Sequence, residues 1–325
     1  MHQFNIQMAE EYARIDAEKL LSNSIQTEKI VFDCMDYPPA SLKREGDNTP
    51  YIDDNDLIEL PSDDQQNDLR KYYPYGPSGN PTAFNSKIPK LNRYYTKLKP
   101  FYCKESDDDN TLIFESRFES GNLRRAVKIA DTEYNLILKY DHNTTVYTQW
   151  FYFKISNVKK FTTYKFNIVN LMKPDSSYNT GMKPIFYSKK EAEGGNGQGI
   201  GWYRDGQNIC YFQNSLKKKG GGFYFTLTFQ VQFMHDDDEV YVAHCYPYTY
   251  SDCTELLQRL CVPECKDRIR KTIVCKTIAG NDCEMAIITN FSSRPEEIAV
   301  RRAIIITSRI HPGESNASFI VEGML

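Results

Sequence analysis

At 325 residues the chain is long enough for two ordinary domains, and 40 basic against 43 acidic residues leave a formal net charge of −3. Without a global basic field, nucleic acid is not the expected partner. Met1 to Ile30 is polar and charged with no apolar signal core, and no stretch nears the roughly 18 apolar residues of a membrane span, so a cytoplasmic protein without membrane attachment is expected.

Residues 1–95 have the texture of an arm. They are rich in Asp, Asn, Ser and Pro, with acidic pairs at Asp53-Asp54 and Asp63-Asp64 and turn chemistry at Tyr72-Tyr73-Pro74-Tyr75-Gly76-Pro77. One short helix is expected around Ala9 to Leu21; the remainder is expected to be partly disordered or draped on a partner.

From Leu112 short runs of aromatic and β-branched residues recur between turn signals: Leu112–Phe118, Glu133–Tyr140, Gln149–Ile155, Tyr164–Asn170, Ile185–Tyr187, Gly201–Tyr203, Ile209–Gln213, Phe223–Phe233 and Val240–Ala243. Apolar and polar residues alternate from Phe225 to Phe233, the pattern of a half-buried antiparallel strand. Lys217-Lys218-Lys219-Gly220-Gly221-Gly222 before it reads as a hairpin loop, or more pointedly as a basic docking site. Strands at this spacing with little helix between them predict an antiparallel β-sandwich over 96–245.

After Tyr246-Pro247-Tyr248-Thr249-Tyr250 the texture changes again. Ser251 is the expected N-cap of a helix through Leu260, with Leu256, Leu257 and Leu260 on one face. Two strands, 270–277 and 284–289, flank a Gly280-Asn281-Asp282 turn. Ala303–Ser308 is apolar without alternation, as a strand buried on both faces should be. Ala317, Ile320, Val321 and Met324 then keep the 3–4 spacing of a helix face. Residues 246–325 thus read as the opening of an α/β domain.

Between that strand and that helix stands Arg309-Ile310-His311-Pro312-Gly313-Glu314. A strand running through His-x-x-Glu into a helix places an imidazole and a carboxylate at a sheet's carboxyl edge, where open α/β sheets bind ligands. Groups three positions apart can reach one metal ion, and Gly313 is expected to bend the chain so that both face one point. Read blandly, His311 is a satisfied histidine and Glu314 a solvated acid at the start of a helix. The nine cysteines are expected to be reduced thiols. Cys261 and Cys265 have loosely metal-like spacing but lack a second close pair. His235 with Asp236-Asp237-Asp238 reads as a loop rather than a substitute ligand set.

Ser308-Arg309-Ile310-His311-Pro312-Gly313-Glu314-Ser315-Asn316-Ala317-Ser318 resembles the metal-binding segment of the zinc carboxypeptidases, in the form used by the cytosolic carboxypeptidases. Upstream, 114–123 (Phe-Glu-Ser-Arg-Phe-Glu-Ser-Gly-Asn-Leu), 149–153 (Gln-Trp-Phe-Tyr-Phe), 170–174 (Asn-Leu-Met-Lys-Pro) and 199–202 (Gly-Ile-Gly-Trp) resemble the amino-terminal domain of that family, and 246–251 resembles its join to the catalytic domain.

The resemblance covers 112–325 and implies a zinc metallocarboxypeptidase that removes carboxyl-terminal residues. Glutamates on glutamylated tubulin or on other acidic tails would be the substrate, with His311 and Glu314 as the first two Zn2+ ligands. It implies a cytoplasmic, cytoskeletal or ciliary location. The family's second zinc histidine, carboxylate-binding arginines and general-base glutamate lie beyond this motif. Ser315–Leu325 holds no His, no Arg and one acid, Glu322. The expectation is therefore an incomplete, inactive portion with no complete catalytic set: a β-sandwich followed by the truncated start of an α/β zinc-carboxypeptidase domain. The alternative is a non-catalytic sandwich that binds tubulin or another protein. Lys266, Arg268, Arg270 and Lys271 could steer an acidic tail, or form an ordinary solvated face.

Overall fold

The computed structural model describes Glu11, Arg14 and residues 29–34, 102–141, 144, 146–194, 199–218 and 221–325. The helix expected around Ala9 to Leu21 lies outside them except for Glu11 and Arg14, both helical, and the acidic pairs and the Tyr/Pro run of the arm lie wholly outside. The chain forms two compact units, Met1–Lys139 with Thr148–His244 and Tyr140–Tyr147 with Cys245–Leu325.

The first unit is built from strands. A six-stranded sheet contains β1 (Lys29–Asp33), β3 (Leu123–Ala130), β4 (Glu133–Leu138), β6 (Thr163–Leu171), β9 (Gln207–Lys217) and β10 (Phe223–Gln232), in the order β1-β3-β4-β6-β10-β9. A five-stranded sheet contains β2 (Ile113–Glu115), β5 (Tyr152–Ser156), β7 (Ile185–Ser188), β8 (Tyr203–Arg204) and β11 (Val240–Ala243), in the order β2-β5-β11-β7-β8. One short helix, α1 (Lys189–Ala192), follows β7.

The purely antiparallel expectation is corrected at one place: β4 and β6 pair in parallel, Tyr134 beside Phe166 and Leu136 beside Ile168. The chain leaves β4, runs through β5 in the other sheet, and returns in its original direction. Two strands escaped the sequence reading. Lys29–Asp33 of the arm pairs along β3 and forms the edge of the sheet, and β3 itself is disguised by Arg124, Arg125 and Lys128.

Both sheets contribute to one aromatic core. Phe114 lies 6.4 Å from Phe166, Phe153 lies 6.5 Å from Phe166, and Phe186 lies 6.2 Å from Phe229, ring centroid to ring centroid. All five rings are essentially inaccessible to solvent, and each buried phenylalanine contributes about 1.5–3 kcal/mol. On β10, Thr226 and Thr228 are buried as well as Leu227 and Phe229. Their hydroxyls are satisfied by Asn214 and Asn167 at 3.0 and 2.8 Å, so polar alternation here marks paired groups rather than a wet face. The Lys/Gly run does join β9 and β10 as a hairpin, with the Lys218 N–H donating to the Gly222 carbonyl at 2.9 Å.

In the second unit, α2 (Tyr250–Leu260) is followed by the antiparallel pair β12 (Ile269–Lys276) and β13 (Asp282–Ile288), then α3 (Pro295–Ala299) and α4 (Ser315–Met324). The N-cap of α2 is Thr249 rather than Ser251. Its hydroxyl accepts from the Asp252 N–H, and the Asp252 carboxylate accepts from the Thr249 N–H, a reciprocal box that Ser251 cannot form.

The largest correction concerns Ala303–Ser308. The segment is not a strand and not buried: Ile304 is 88% and Ile305 86% exposed. A strand needs at least one hydrogen-bonded neighbour, and among the described residues of this unit β12 and β13 pair only with each other. Apolar composition alone does not bury a segment.

Candidate metal centre

The approach to α4 is a tight turn. The Glu314 N–H donates to the His311 carbonyl at 3.0 Å, and the Ala317 N–H donates to the Glu314 carbonyl at 3.1 Å. The first bond closes a four-residue turn and so holds the Cα atoms of His311 and Glu314 within about 7 Å. Both residues are exposed, whereas Ser315, the first residue of α4, is fully buried. Glu314 is the N-cap of α4 and makes no side-chain capping bond, which leaves its carboxylate uncommitted to the helix.

The chain turns between the members of the pair, with Pro312 and Gly313 inside the closed turn, and bends once more just before them. Arg309 has φ 58°, the left-handed region, whereas Gly313 is absent from the positive-φ residues. Gly313 stands in the turn as expected, but at a φ that other residues can also adopt. The Arg309 guanidinium donates to the Pro312 carbonyl at 2.8 Å, to the Tyr248 carbonyl at 3.1 Å and to the Ser318 hydroxyl at 3.3 Å. Burial pulls its pKa down, and the three acceptors supply what lost water would have. One side chain thus ties the turn to both the start of α4 and the segment before α2. Tyr248 adds an edge-to-face contact with Phe319 of α4 at 4.9 Å.

An imidazole and a carboxylate across a closed turn suit zinc, which takes nitrogen and oxygen donors. Two donors are not a full set, however, and among the described residues no group of three His, Cys, Asp or Glu side chains comes together. Glu322, the remaining acid of α4, lies 3.6 Å from Arg259 of α2. His235 and Asp236–Asp238 occupy the loop between β10 and β11, where Asp238 accepts from Ser188 and from the Lys190 N–H. His244 is buried among Trp150, Phe151 and Tyr178, and its Nδ1 is 3.0 Å from the Tyr178 hydroxyl. Burial, with the charges of Arg204 and Lys173, pushes its pKa down to about 4. It is a neutral core histidine. Of the four basic residues near 266–271, Lys271 pairs with Glu284 at 2.5 Å and Arg270 stacks over Phe291 at 3.9 Å.

The upstream strings turn out to be fastenings of the fold. Asn122 donates to the Trp150 carbonyl at 2.6 Å and accepts from the Tyr152 N–H at 2.9 Å. A Cβ on Gly121 would stand 2.2 Å from the Ser116 carbonyl oxygen, so only glycine fits beside it. Asn170 brackets Leu138, accepting from its N–H at 2.8 Å and donating to its carbonyl at 2.9 Å.

Residues 114–193, which hold most of these fastenings, match the model of the cytosolic carboxypeptidase N-terminal domain. Human cytosolic carboxypeptidase 2 is 44% identical over 222 residues, 68% of this chain and 24% of that protein. Mouse cytosolic carboxypeptidase 3 is 46% identical over 218 residues, 67% of this chain and 21% of that protein. The chain belongs to the cytosolic carboxypeptidase family. This cytosolic carboxypeptidase chain spans about a quarter of the length of the curated relatives it matches. A solved metallo-carboxypeptidase from Burkholderia cenocepacia aligns at 19% identity with a TM-score of 0.46, over 66% of this chain and 47% of that one. No helix among the described residues is long and apolar enough to cross a membrane.

Arg309 is the site residue that sequence reasoning missed in this family member. Its signal was a charged residue between an isoleucine run and a histidine, where a free surface arginine gains nothing.

Proposed function

We propose that the chain is the amino-terminal portion of a zinc metallocarboxypeptidase, a two-sheet sandwich followed by the opening of an α/β catalytic domain, and that His311 and Glu314 are two of its zinc ligands. The observation that carries the reading is the closed His311–Glu314 turn at the head of α4, clamped by Arg309. Bound zinc supplies a polarised carbonyl and an acidified water. The chain's own residues would hold the ion from one side, and no turnover step is assigned to them, because the described residues complete neither the ligand set nor a general base. The substrate class is a protein with an acidic carboxyl-terminal tail, glutamylated tubulin first, met in the cytoplasm or on cytoskeletal or ciliary structures. The names of the relatives support the carboxypeptidase class; the glutamate preference rests on the sequence resemblance alone.

Two measurements test this. In zinc titration by calorimetry, the chain should bind one equivalent weakly, and H311A or E314A should abolish the heat; identical isotherms for all three proteins would remove these residues from the ligand set. In an assay for free glutamate released from glutamate-tailed peptides, the 325-residue chain should be inactive. Release by the chain alone would overturn the view that it lacks a complete site.

A further inference from the structure

The β12–β13 hairpin carries two cysteines that the proposed chemistry does not use. Cys275 and Cys283 are direct register partners, flanked by the pair Lys276–Asp282 on the tip side and, across a register shift at Val274, by Ile273–Glu284. Cross-strand partners in an antiparallel ladder lie about 4.5–5.5 Å apart at Cα, inside the roughly 4.4–6.8 Å window that a disulfide requires. Both thiols are free and exposed. Among the described residues, no other two cysteines are register partners; Cys210, for instance, faces Thr228.

The setting favours a staple. Apart from Ile269, every residue of β12 is exposed, and β13 alternates between exposed and half-buried. The hairpin is therefore held mainly by its backbone ladder and by the Lys271–Glu284 and Lys276–Asp282 ion pairs. A two-stranded hairpin of that kind is marginal by itself. Its tip closes through the Thr277 N–H donating to the Asn281 carbonyl at 2.8 Å, with Gly280 at φ 85°.

We propose that Cys275 and Cys283 form a reversible thiol–disulfide modification site, in which exchange with a small-molecule disulfide such as oxidised glutathione closes a cross-strand bond and staples the hairpin. Desolvation, then the neighbouring Cys275 and a hydrogen bond between the two side chains, raises the Cys283 pKa, and that hydrogen bond places the two sulfurs within reach of each other. The Cys275 thiolate attacks one sulfur of the small disulfide, breaking its S–S bond, and the departing thiolate takes up the Cys275 proton. Cys283, deprotonated in turn, attacks the Cys275 sulfur of the mixed disulfide and expels the second small thiol. Two electrons pass from the protein pair to the small disulfide, which leaves as two thiols.

The test uses the whole 325-residue chain equilibrated at stepped ratios of oxidised to reduced glutathione, then alkylated, digested with trypsin without reduction and analysed by mass. Lys276 lies between the cysteines, so cleavage there leaves the peptide 272–276 joined to the peptide beginning at Thr277 only if the disulfide has formed. The expected result is that linked pair, reversed by excess reduced glutathione. In C283S, Cys275 should accumulate as its glutathione adduct. In the oxidised wild type, amide exchange at Thr277 should slow at least tenfold. Separate glutathione adducts on Cys275 and Cys283 in the wild type would overturn the proposal. So would a peptide joining Cys283 to Cys253 of α2, the other thiol whose charge environment includes Cys283.

Discussion

The half-buried Arg309 and the buried His244 show how single polar groups set local behaviour. Arg309 sits in the left-handed region at φ 58° and donates to three acceptors, two of them backbone carbonyls. Hydrogen bonds from a charged donor contribute about 1.5–3 kcal/mol each, and a strained φ offsets part of that. R309A is expected to loosen the His311–Glu314 turn by about 2 kcal/mol, read as a roughly thirtyfold faster amide exchange at Glu314. R309G, which relieves the φ but not the loss of the clamp, should recover only a fraction. His244 makes the pH prediction. Its folded pKa lies below the ordinary 6.5, at about 4, so between those values the unfolded chain binds the extra proton. The stability it lends is complete above about pH 6.5 and is lost as pH falls toward 4, by up to about 3 kcal/mol. Urea unfolding of the wild type and of H244Q across that window should show a steeper decline for the wild type; parallel curves would contradict a neutral buried imidazole.

At the scale of elements, the contrast is between paired and unpaired segments. β10 is flanked by β6 and β9 and buries even its threonines, whereas 303–307, with a more apolar composition, lies in solvent. Burial follows from partners, and partners come from topology. I305K should therefore change the unfolding free energy of this chain, read from urea titration, by less than about 0.5 kcal/mol, where a position buried on both faces would lose on the order of 4 kcal/mol. The same substitution should raise solubility, since exposed isoleucines at 304, 305 and 306 form a contiguous apolar surface. At the head of α2, T249A removes one half of the capping box and should cost about 1 kcal/mol, measured as lost helicity and exchange protection in the first turn.

For the whole molecule, the two units differ in how far they complete themselves. The first closes its core from both sheets around Phe114, Phe153, Phe166, Phe186 and Phe229. Residues 29–244 expressed alone should show one cooperative urea transition, and F166A should lower its stability by about 3–5 kcal/mol. A fragment beginning at 102 would lack β1 and leave β3 as an open edge; it should be less stable and more prone to self-association.

Much of this protein was legible from residues close in sequence, because the responsible forces act locally. The strands from Glu133 to Ala243, the Lys/Gly hairpin, the Gly280 turn and the helix after Glu314 all follow from side-chain period and turn chemistry. His311 and Glu314 were legible as a pair for the same reason, three positions apart in one turn. What needed the tertiary structure were the features that depend on a distant partner. The pairing of Lys29–Asp33 with β3 closes a separation no local pattern reports. The parallel step between β4 and β6 arises because the chain visits the other sheet between them. Arg309 became a clamp only once Tyr248 and Ser318 were near it, and Cys275 met Cys283 only through the ladder's register. The isoleucine run erred in the opposite sense: its composition said core, but burial is a relation between surfaces, and the described residues offer it no second one.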